Sequence, residues 1–369
     1  MQRQWRGLID ELGPEKVVLL TEPSSGLEGI VVVDNTAAGP AIGGVRMAVD
    51  VSVGEVFRLA RAMTLKNAAA GLAHGGGKAA IIADPRISEP AKEQLVRAFA
   101  VAIEGLSEFI AGPDMGTDEA CMAHVHDEIG RSVGLPRVLG GIPLDELGAT
   151  AFGLAVAAEV AEEFGHVKLD GARVVIQGFG AVGRPAARLL ADRGALIVAV
   201  SDSRGAIVNQ AGLDVEKLVA WKESGHGVPE FGGGTTAGHE ELIAYPCDIW
   251  VPAARPDVFT GDNAGEVAAQ VILPGANIAT TEAAERVFFD RGIVSLPDFI
   301  VNAGGVICAA TEYAGETPSH AFRVIDEKIR SNTRLVLESA QRTTATPLAA
   351  AHALASGRVE EAMRYRRRF

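Results

Sequence analysis

The sequence predicts an α/β protein of two domains, the second built on a parallel sheet with helices on both faces. Its 369 residues suffice for two domains of ordinary size. Hydrophobic residues at 48% and charged residues at 22% are a normal globular balance, so sizeable cores can form without staples. From about residue 150, apolar strand-like runs alternate with helical ones, the pattern of a parallel sheet covered on both sides.

The first part runs to about residue 145. It opens with β-branched runs at Val17–Leu20 and Gly29–Asp34, bounded by turn residues, which read as strands. A helix is predicted from Gly54 to Ala70, then a glycine-rich turn, HGGGK, then a short buried strand in AAIIADP. Residues 89–106 read as a second helix, and GPDMGT (112–117) as a loop. In the second part, strands are predicted at Arg173–Gln177, Ala195–Ser201, Cys247–Val251 and Val271–Leu273. Helices are predicted at Ala181–Arg193, closed by Gly194, and at Leu213–Ser224. FGGGTTAG (231–238) reads as a loop, and residues 318–369 as helical, free to pack back across the first domain. The implied division is 1–145, 146–335 and a helical 336–369.

The run Gly178-Phe179-Gly180-Ala181-Val182-Gly183 follows an apolar strand, opens an Ala/Leu helix and is followed by a second strand ending in Asp202. That context turns a weak GxGxxG match into a dinucleotide-binding, Rossmann-type unit. The first glycine permits the tight turn, the second lets backbone approach a pyrophosphate, and the third lets helix pack on strand. A carboxylate 22 residues past Gly180 accepts the ribose hydroxyls and repels a 2′-phosphate, so NAD is expected over NADP. Arg204 lies near enough in sequence to meet such a phosphate. The bland alternative is a βα turn that binds nothing, with Asp202 capping a loop.

In GEVFRLARAMTLKNAAAG, apolar residues recur at Val56, Leu59, Ala60, Met63 and Ala70, with Arg58 and Arg61 opposite. Lys66 follows the 59–63–66–70 spacing, and a lysine on an apolar stripe is either paired or functional, because an unpaired buried ammonium is costly. Lys78 follows 12 residues later, after Gly75–Gly77, at the mouth of a strand. From spacing alone, a snorkelling Lys66 and an ordinary loop Lys78 remain open.

Composition excludes several classes. A net charge of −13 argues against a nucleic-acid partner, and the basic cluster Arg364, Arg366, Arg367 and Arg368 reads as a solvated tail. There is no apolar run of about 18 residues, so no membrane span is expected. Cys121, Cys247 and Cys308 form no framework, which fits a reducing cytoplasm, and the N-terminus reads as too polar for a secretory signal, so none is expected. His124 and His126 lack partners at ligand spacing, and no metal is expected.

With these residues in view, the chain resembles the glutamate/leucine/phenylalanine/valine dehydrogenase family along nearly its whole length. GPAIGGVRM (39–47) resembles the family's glycine-glycine-x-arginine stretch, and MTLKNAAAGLAHGGGKAAIIADP (63–85) its two-lysine signature. GPDMGT, GATAFG (148–153), VPAA (251–254), GAN (275–277) and PDFIVNAGG (297–305) resemble later loops in order. His74 departs from the family pattern and reads as a neutral structural histidine. The resemblance implies an N-terminal α/β substrate and oligomerisation domain, a Rossmann-type NAD domain and a cleft between them, assembled as a homo-oligomer. It implies that Lys66 holds the substrate α-carboxylate beside Gly43 and Gly44, that Lys78 is the catalytic lysine, and that Asp114 exchanges protons with the amino group. It places Thr150 near the nicotinamide amide, Ala253 and Asn277 among the cofactor contacts, and Asn302 on the substrate. The reaction implied is hydride transfer from Cα to NAD, giving an iminium that water converts to a 2-oxo acid and ammonia. A lysine working as a base near neutral pH needs burial or a neighbouring cation, and a carboxylate partner suits the proton traffic.

Glutamate-specific members place a lysine before the glycine pair and a serine after the asparagine-alanine-glycine-glycine stretch. This chain has Ile42 and Ala309 there. An apolar pocket leaves a buried carboxylate uncompensated, so an aliphatic substrate (leucine, valine or isoleucine) is expected, with glutamate as the alternative. For glutamate speak GPDMGT, AVSDSRGAI and CDIWVPAA, which look like glutamate-type members. A non-catalytic NAD-binding regulator would lack Lys78 or Asp114, and a 2-hydroxy-acid dehydrogenase would want a catalytic His beside a carboxylate and a substrate Arg.

Overall fold

The computed structural model describes residue 7, residues 9–143 and residues 147–366. The chain packs as two units: Met1–Pro143 with Val306–Ala321 and Ala353–Phe369, and Leu144–Gly305 with Phe322–His352.

The first unit contains strands β1 (Lys16–Glu22), β2 (Leu27–Asn35), β3 (Ala41–Met47), β4 (Gly75–Ile81) and β5 (Phe109–Pro113), with helices α1 (Val53–Ala69), α2 (Glu89–Ala102) and α3 (Glu119–Ile129). The sheet order is β1-β2-β4-β3-β5. β1, β2 and β4 pair antiparallel, while β3 lies parallel to both β4 and β5. Local chemistry sets the helix ends: Ser52 accepts the Glu55 N–H to start α1, and Asp118 accepts the Cys121 N–H to start α3. Because successive strand side chains alternate, Val31, Val33, Ala79 and Ile81 meet Phe99 and Met122, while Ile30, Val32 and Ala80 meet Val56, Phe57 and Ala60. Each of the buried Val, Ile, Phe and Met side chains contributes roughly 1.5–3 kcal/mol.

Gly75–Gly77 belong to strand β4 and make no turn, which differs from the sequence expectation. The reason is close approach: a Cβ on Gly76 would lie 2.0 Å from the Thr64 nitrogen of α1. The buried stripe of α1 is also rotated from the expected one. It runs through Val56, Phe57, Ala60, Thr64, Asn67 and Ala68, leaving Lys66 half-buried at its margin. Thr64 and Asn67 tolerate burial because Thr64 donates to Asp34 at 2.6 Å and Asn67 to the Gly75 carbonyl at 2.7 Å.

The second unit holds α4 (Ala149–Glu163), β6 (Arg173–Gln177), α5 (Gly183–Ala191), β7 (Leu196–Asp202), β8 (Gly205–Val208), α6 (Val215–Glu223) and β9 (Thr235–Ala237). It continues with β10 (Ile249–Pro252), β11 (Val271–Ile272), α7 (Glu282–Asp290), β12 (Val294–Ser295) and α8 (Asp298–Val301). Its sheet runs β12-β11-β10-β6-β7-β8-β9, parallel from β12 to β7 and antiparallel at β8 and β9. This is the expected Rossmann-type sheet, extended by the short strand β9 inside the presumed loop 231–238. Trp250, Phe259 and Phe288 fill its core edge to face, at centroid distances of 4.7 and 5.3 Å.

Three further helices, α9 (Gly304–Tyr313), α10 (Pro318–Thr343) and α11 (Pro347–Tyr365), divide their residues between the units. Within the first unit, Arg358 of α11 donates to the carbonyls of Ala68 (3.2 Å) and Ala69 (2.6 Å), closing the C-terminal end of α1.

Candidate active site

In the first unit β3 lies between β4 and β5, so Lys78 on β4 and Asp114 just past β5 can meet only by passing over β3. They do: Lys78 Nζ lies 2.9 Å from Asp114 Oδ2. The crossing point is Gly44, where a Cβ would lie 2.8 Å from Asp114 Cβ and 3.2 Å from Lys78 Nζ. Gly43 serves a different purpose, since its Cβ would strike the Gly77 carbonyl oxygen at 1.9 Å. Lys78 is only 7% exposed and Asp114 is half-buried, so the ion pair is shielded from solvent.

The loop carrying Asp114 is fixed by Thr117, whose hydroxyl accepts the Asp114 N–H at 3.0 Å and donates to the Val45 carbonyl at 2.7 Å. Burial works to raise the Asp114 carboxyl, but the charge and hydrogen bond of Lys78, and then the charge of Arg46, outweigh it and hold the acid below its ordinary value. Arg46 donates from Nε to Asp114 Oδ2 at 3.1 Å and pairs with Glu55 of α1 at 2.5 Å. Sequence reasoning missed Arg46, although a signal existed: two residues past Gly44 on a strand, it shares Gly44's face.

Ile42, 3% exposed, packs with Ile110 and Val133, and Ala309 and Ala310 of α9 lie against this cluster. One turn on, Glu312 accepts the N–H groups of Leu135 (3.0 Å) and Ile142 (2.8 Å), tying the neighbouring loop to α9. His74 meets the Pro40 carbonyl through Nδ1 at 3.1 Å and packs edge-on to Tyr313, and burial lowers its pKa, in keeping with a neutral structural role.

In the second unit, β6 is flanked by β7 on one side and β10 on the other, so the sheet reverses its winding there. Ligand crevices form at the carboxyl ends of strands at such a reversal. Gly178–Gly183 occupies it, between β6 and α5, with Phe179 buried beneath and Ala181 exposed. A Cβ on Gly183 would strike the Gly178 carbonyl oxygen at 1.9 Å, whereas one on Gly180 would meet no protein atom within 4 Å. Gly180 thus leaves space that nothing in the protein uses, as a pyrophosphate cradle requires. At the end of β6 and on β7, Gln177 Oε1 and Ser201 Oγ sit buried on register-paired residues and have no hydrogen-bond partner among the described residues. These residues fit a dinucleotide.

Asp202 ends β7 as predicted, and its carboxylate is already engaged. It accepts N–H groups from Arg204 (2.8 Å) and Val228 (3.0 Å) and forms an ion pair with Lys222 of α6. Burial pushes its pKa up, but these partners, Lys222 first, carry it below the ordinary value. Arg204 pairs with Glu230. Thr150 and Val182 lie in or beside the first turns of α4 and α5. The Ala253 N–H donates to the Gln177 carbonyl at 2.7 Å, and Asn302 Nδ2 reaches Asn277 Oδ1 at 3.1 Å. The two groups of residues belong to separate units.

Two family descriptions match in sequence: the Glu/Leu/Phe/Val dehydrogenase dimerisation domain over residues 14–131, and Glutamate/Leucine/Phenylalanine/Valine dehydrogenase over residues 140–367. A glutamate dehydrogenase of Aeropyrum pernix is 38% identical over 82% of this chain and 77% of its own length. An NAD-specific glutamate dehydrogenase of Staphylococcus aureus is 36% identical over 90% of this chain and 84% of its own. A hetero-hexameric glutamate dehydrogenase of Thermus thermophilus, solved in a Leu-bound form, superposes with a TM-score of 0.84 at 31% identity, covering 96% of this chain and 91% of that one. The chain therefore belongs to the glutamate/leucine/phenylalanine/valine dehydrogenase family and is an amino-acid dehydrogenase, an oxidoreductase acting on the CH–NH2 group.

Proposed function

We propose that this chain carries out the reversible, NAD-dependent oxidative deamination of an L-amino acid to the 2-oxo acid and ammonia. The observation that carries this reading is the shielded Lys78–Asp114 pair, 2.9 Å apart over the Gly44 gap. A bound nicotinamide supplies the hydride acceptor. Lys66 holds the substrate carboxylate, and Gly43 and Gly44 leave room for its backbone atoms. Lys78 moves the proton of the attacking water at Nζ, and Asp114 exchanges protons with the substrate nitrogen. Gly178, Phe179, Gly180, Ala181, Val182 and Gly183 carry the pyrophosphate, Thr150, Ala253 and Asn277 orient the nicotinamide side, and Asn302 faces the substrate. NAD as the acceptor is supported by the S. aureus relative. The match to a dimerisation domain supports a homo-oligomer. Three buried, unbridged cysteines suit a reducing cytoplasm.

The side chain acted on has two readings. Glutamate is supported by the names of the curated relatives at 36–38% identity. An aliphatic side chain is supported by Ile42 and Ala309, which share one apolar cluster. The test is NADH formation with leucine, isoleucine, valine and glutamate at matched pH, and ammonia-dependent NADH oxidation with the matching 2-oxo acids. The reading expects one of these amino acids to lead by a large factor in kcat/KM. Absence of ammonia-dependent turnover with every 2-oxo acid would overturn the deaminase assignment.

A further inference from the structure

Four charged groups form one line through the first unit: Glu55 on α1, Arg46 on β3, Asp114 past β5 and Lys78 on β4. Arg46 Nε and Lys78 Nζ converge on the same oxygen, Asp114 Oδ2, at 3.1 and 2.9 Å. The Arg46 guanidinium is itself held from behind by Glu55 at 2.5 Å, and its side chain is 17% exposed. Asp114 thus has a partner on each side, and they differ in kind. Lys78 can give up its proton, whereas a guanidinium cannot be deprotonated in a protein.

Building on the deaminase reading, we infer that Arg46 is a positioning residue: it fixes the Asp114 carboxylate against Lys78 and supplies the permanent positive charge that keeps Asp114 ionised while Lys78 is neutral. Without it, loss of the Lys78 proton would leave Asp114 a half-buried anion lacking the guanidinium, and Asp114 would take up a proton more readily. An Asp114 that keeps its proton cannot accept one from the substrate nitrogen. Among the described residues a Met115 backbone N–H also favours the ionised Asp114, and the Thr117 hydroxyl bonds the Asp114 backbone; neither carries charge. Glu55 meets the far side of Arg46 and adds no cation.

The test is the pH profile of kcat/KM for the best amino acid with wild type, Arg46→Gln and Arg46→Lys, with melting temperature and NADH binding measured alongside. An opposite charge at this range moves a carboxylate by about one to three units. Arg46→Gln should therefore shift the acid limb upward by about one to two units and lower kcat about a hundredfold, the scale of a lost alignment. Arg46→Lys restores the charge but not the fixed fork, so its acid limb should stay near wild type while kcat remains about tenfold down. A lost structural contact alone would lower stability and leave the acid limb in place. If Arg46→Gln and wild type share one acid limb, or Arg46→Lys has full kcat, the inference fails while the deaminase reading stands. The Arg46→Lys arm decides the matter if Arg46→Gln does not fold. A wild-type protein without deaminase activity would overturn both.

Discussion

Two adjacent glycines on β3 should respond to alanine in opposite ways. A methyl on Gly43 would lie 1.9 Å from the Gly77 oxygen and 2.4 Å from its carbon. Those are backbone atoms of the neighbouring strand, held by pairing on both sides of β4, and cannot yield singly. Relief requires separating β3 from β4, so Gly43→Ala should cost more than about 3 kcal/mol, beyond ordinary overpacking. A methyl on Gly44 would instead meet Asp114 Cβ at 2.8 Å, the Pro113 oxygen at 3.0 Å and Lys78 Nζ at 3.2 Å. The Lys78 ammonium is the far end of a flexible chain, and the Asp114 loop follows the end of its strand. Both can move by several tenths of an ångström, so Gly44→Ala should cost only about 1–2 kcal/mol in stability. The movement falls on the 2.9 Å ion pair; misplacing reacting groups by about 1 Å lowers rate about a hundredfold, so a shift of several tenths of an ångström should lower kcat about tenfold. Urea denaturation and kcat on both variants, with NADH binding as a control, would separate the effects. Near-normal kcat in a folded Gly44→Ala variant would refute the placement of the site, and a stable Gly43→Ala variant would refute the packing argument.

Other outcomes follow from particular contacts. Burial raises the Glu285 carboxyl from 4.5 to about 7 despite its hydrogen bond with Ser295. Its folded-state pKa lies above the unfolded one, so its contribution is complete below about pH 4.5 and lost as pH rises through about 7, an upper limit of about 3 kcal/mol. Glu285→Gln should therefore gain stability over wild type in urea at pH 8 but not at pH 4.5, and parallel pH slopes would contradict this. Lys222→Gln frees the Asp202 carboxylate and removes a cation from the place of a 2′-phosphate, so the kcat/KM ratio of NAD to NADP should rise by about tenfold; an unchanged ratio would show that Lys222 has no part in cofactor choice. Ile42→Lys should raise kcat/KM for glutamate relative to leucine by at least about tenfold, at a cost in stability from a lysine set among Ile110 and Val133. No change in that ratio would mean that position 42 does not touch the substrate side chain.

What the sequence made legible followed from periodicity and local spacing. β6 at Arg173–Gln177 is legible, with the helix and second strand after it, because an apolar run, a glycine fingerprint and an Ala/Leu helix are all local signals. β3 and β5 escape local patterning, since glycine and proline dilute the β-branched signal in AIGGVRM and FIAGP. Periodicity misplaces the buried stripe of α1 for a related reason. Thr64 and Asn67 look polar, and only the structure supplies the hydrogen bonds to Asp34 and Gly75 that let them sit inside. The Arg46–Asp114 contact spans 68 positions in the chain and depends on strand order, which local patterning does not encode.

The glycines show how the two kinds of information join. On sequence alone, Gly43, Gly44, Gly180 and Gly183 are four members of two glycine-rich runs. What a Cβ would meet first sorts them: backbone for Gly43 and Gly183, the Asp114 side chain, with the Pro113 carbonyl and Lys78 just beyond, for Gly44, and open space for Gly180. A glycine kept from backbone serves the architecture. A glycine kept from functional side chains, or from nothing in the protein, keeps space for chemistry or for a ligand. In each run these sit one to three residues apart, so the residues that pack the strand also aim the site. That proximity is why a substitution at one glycine should unfold the domain while its neighbour spares the fold and slows the reaction.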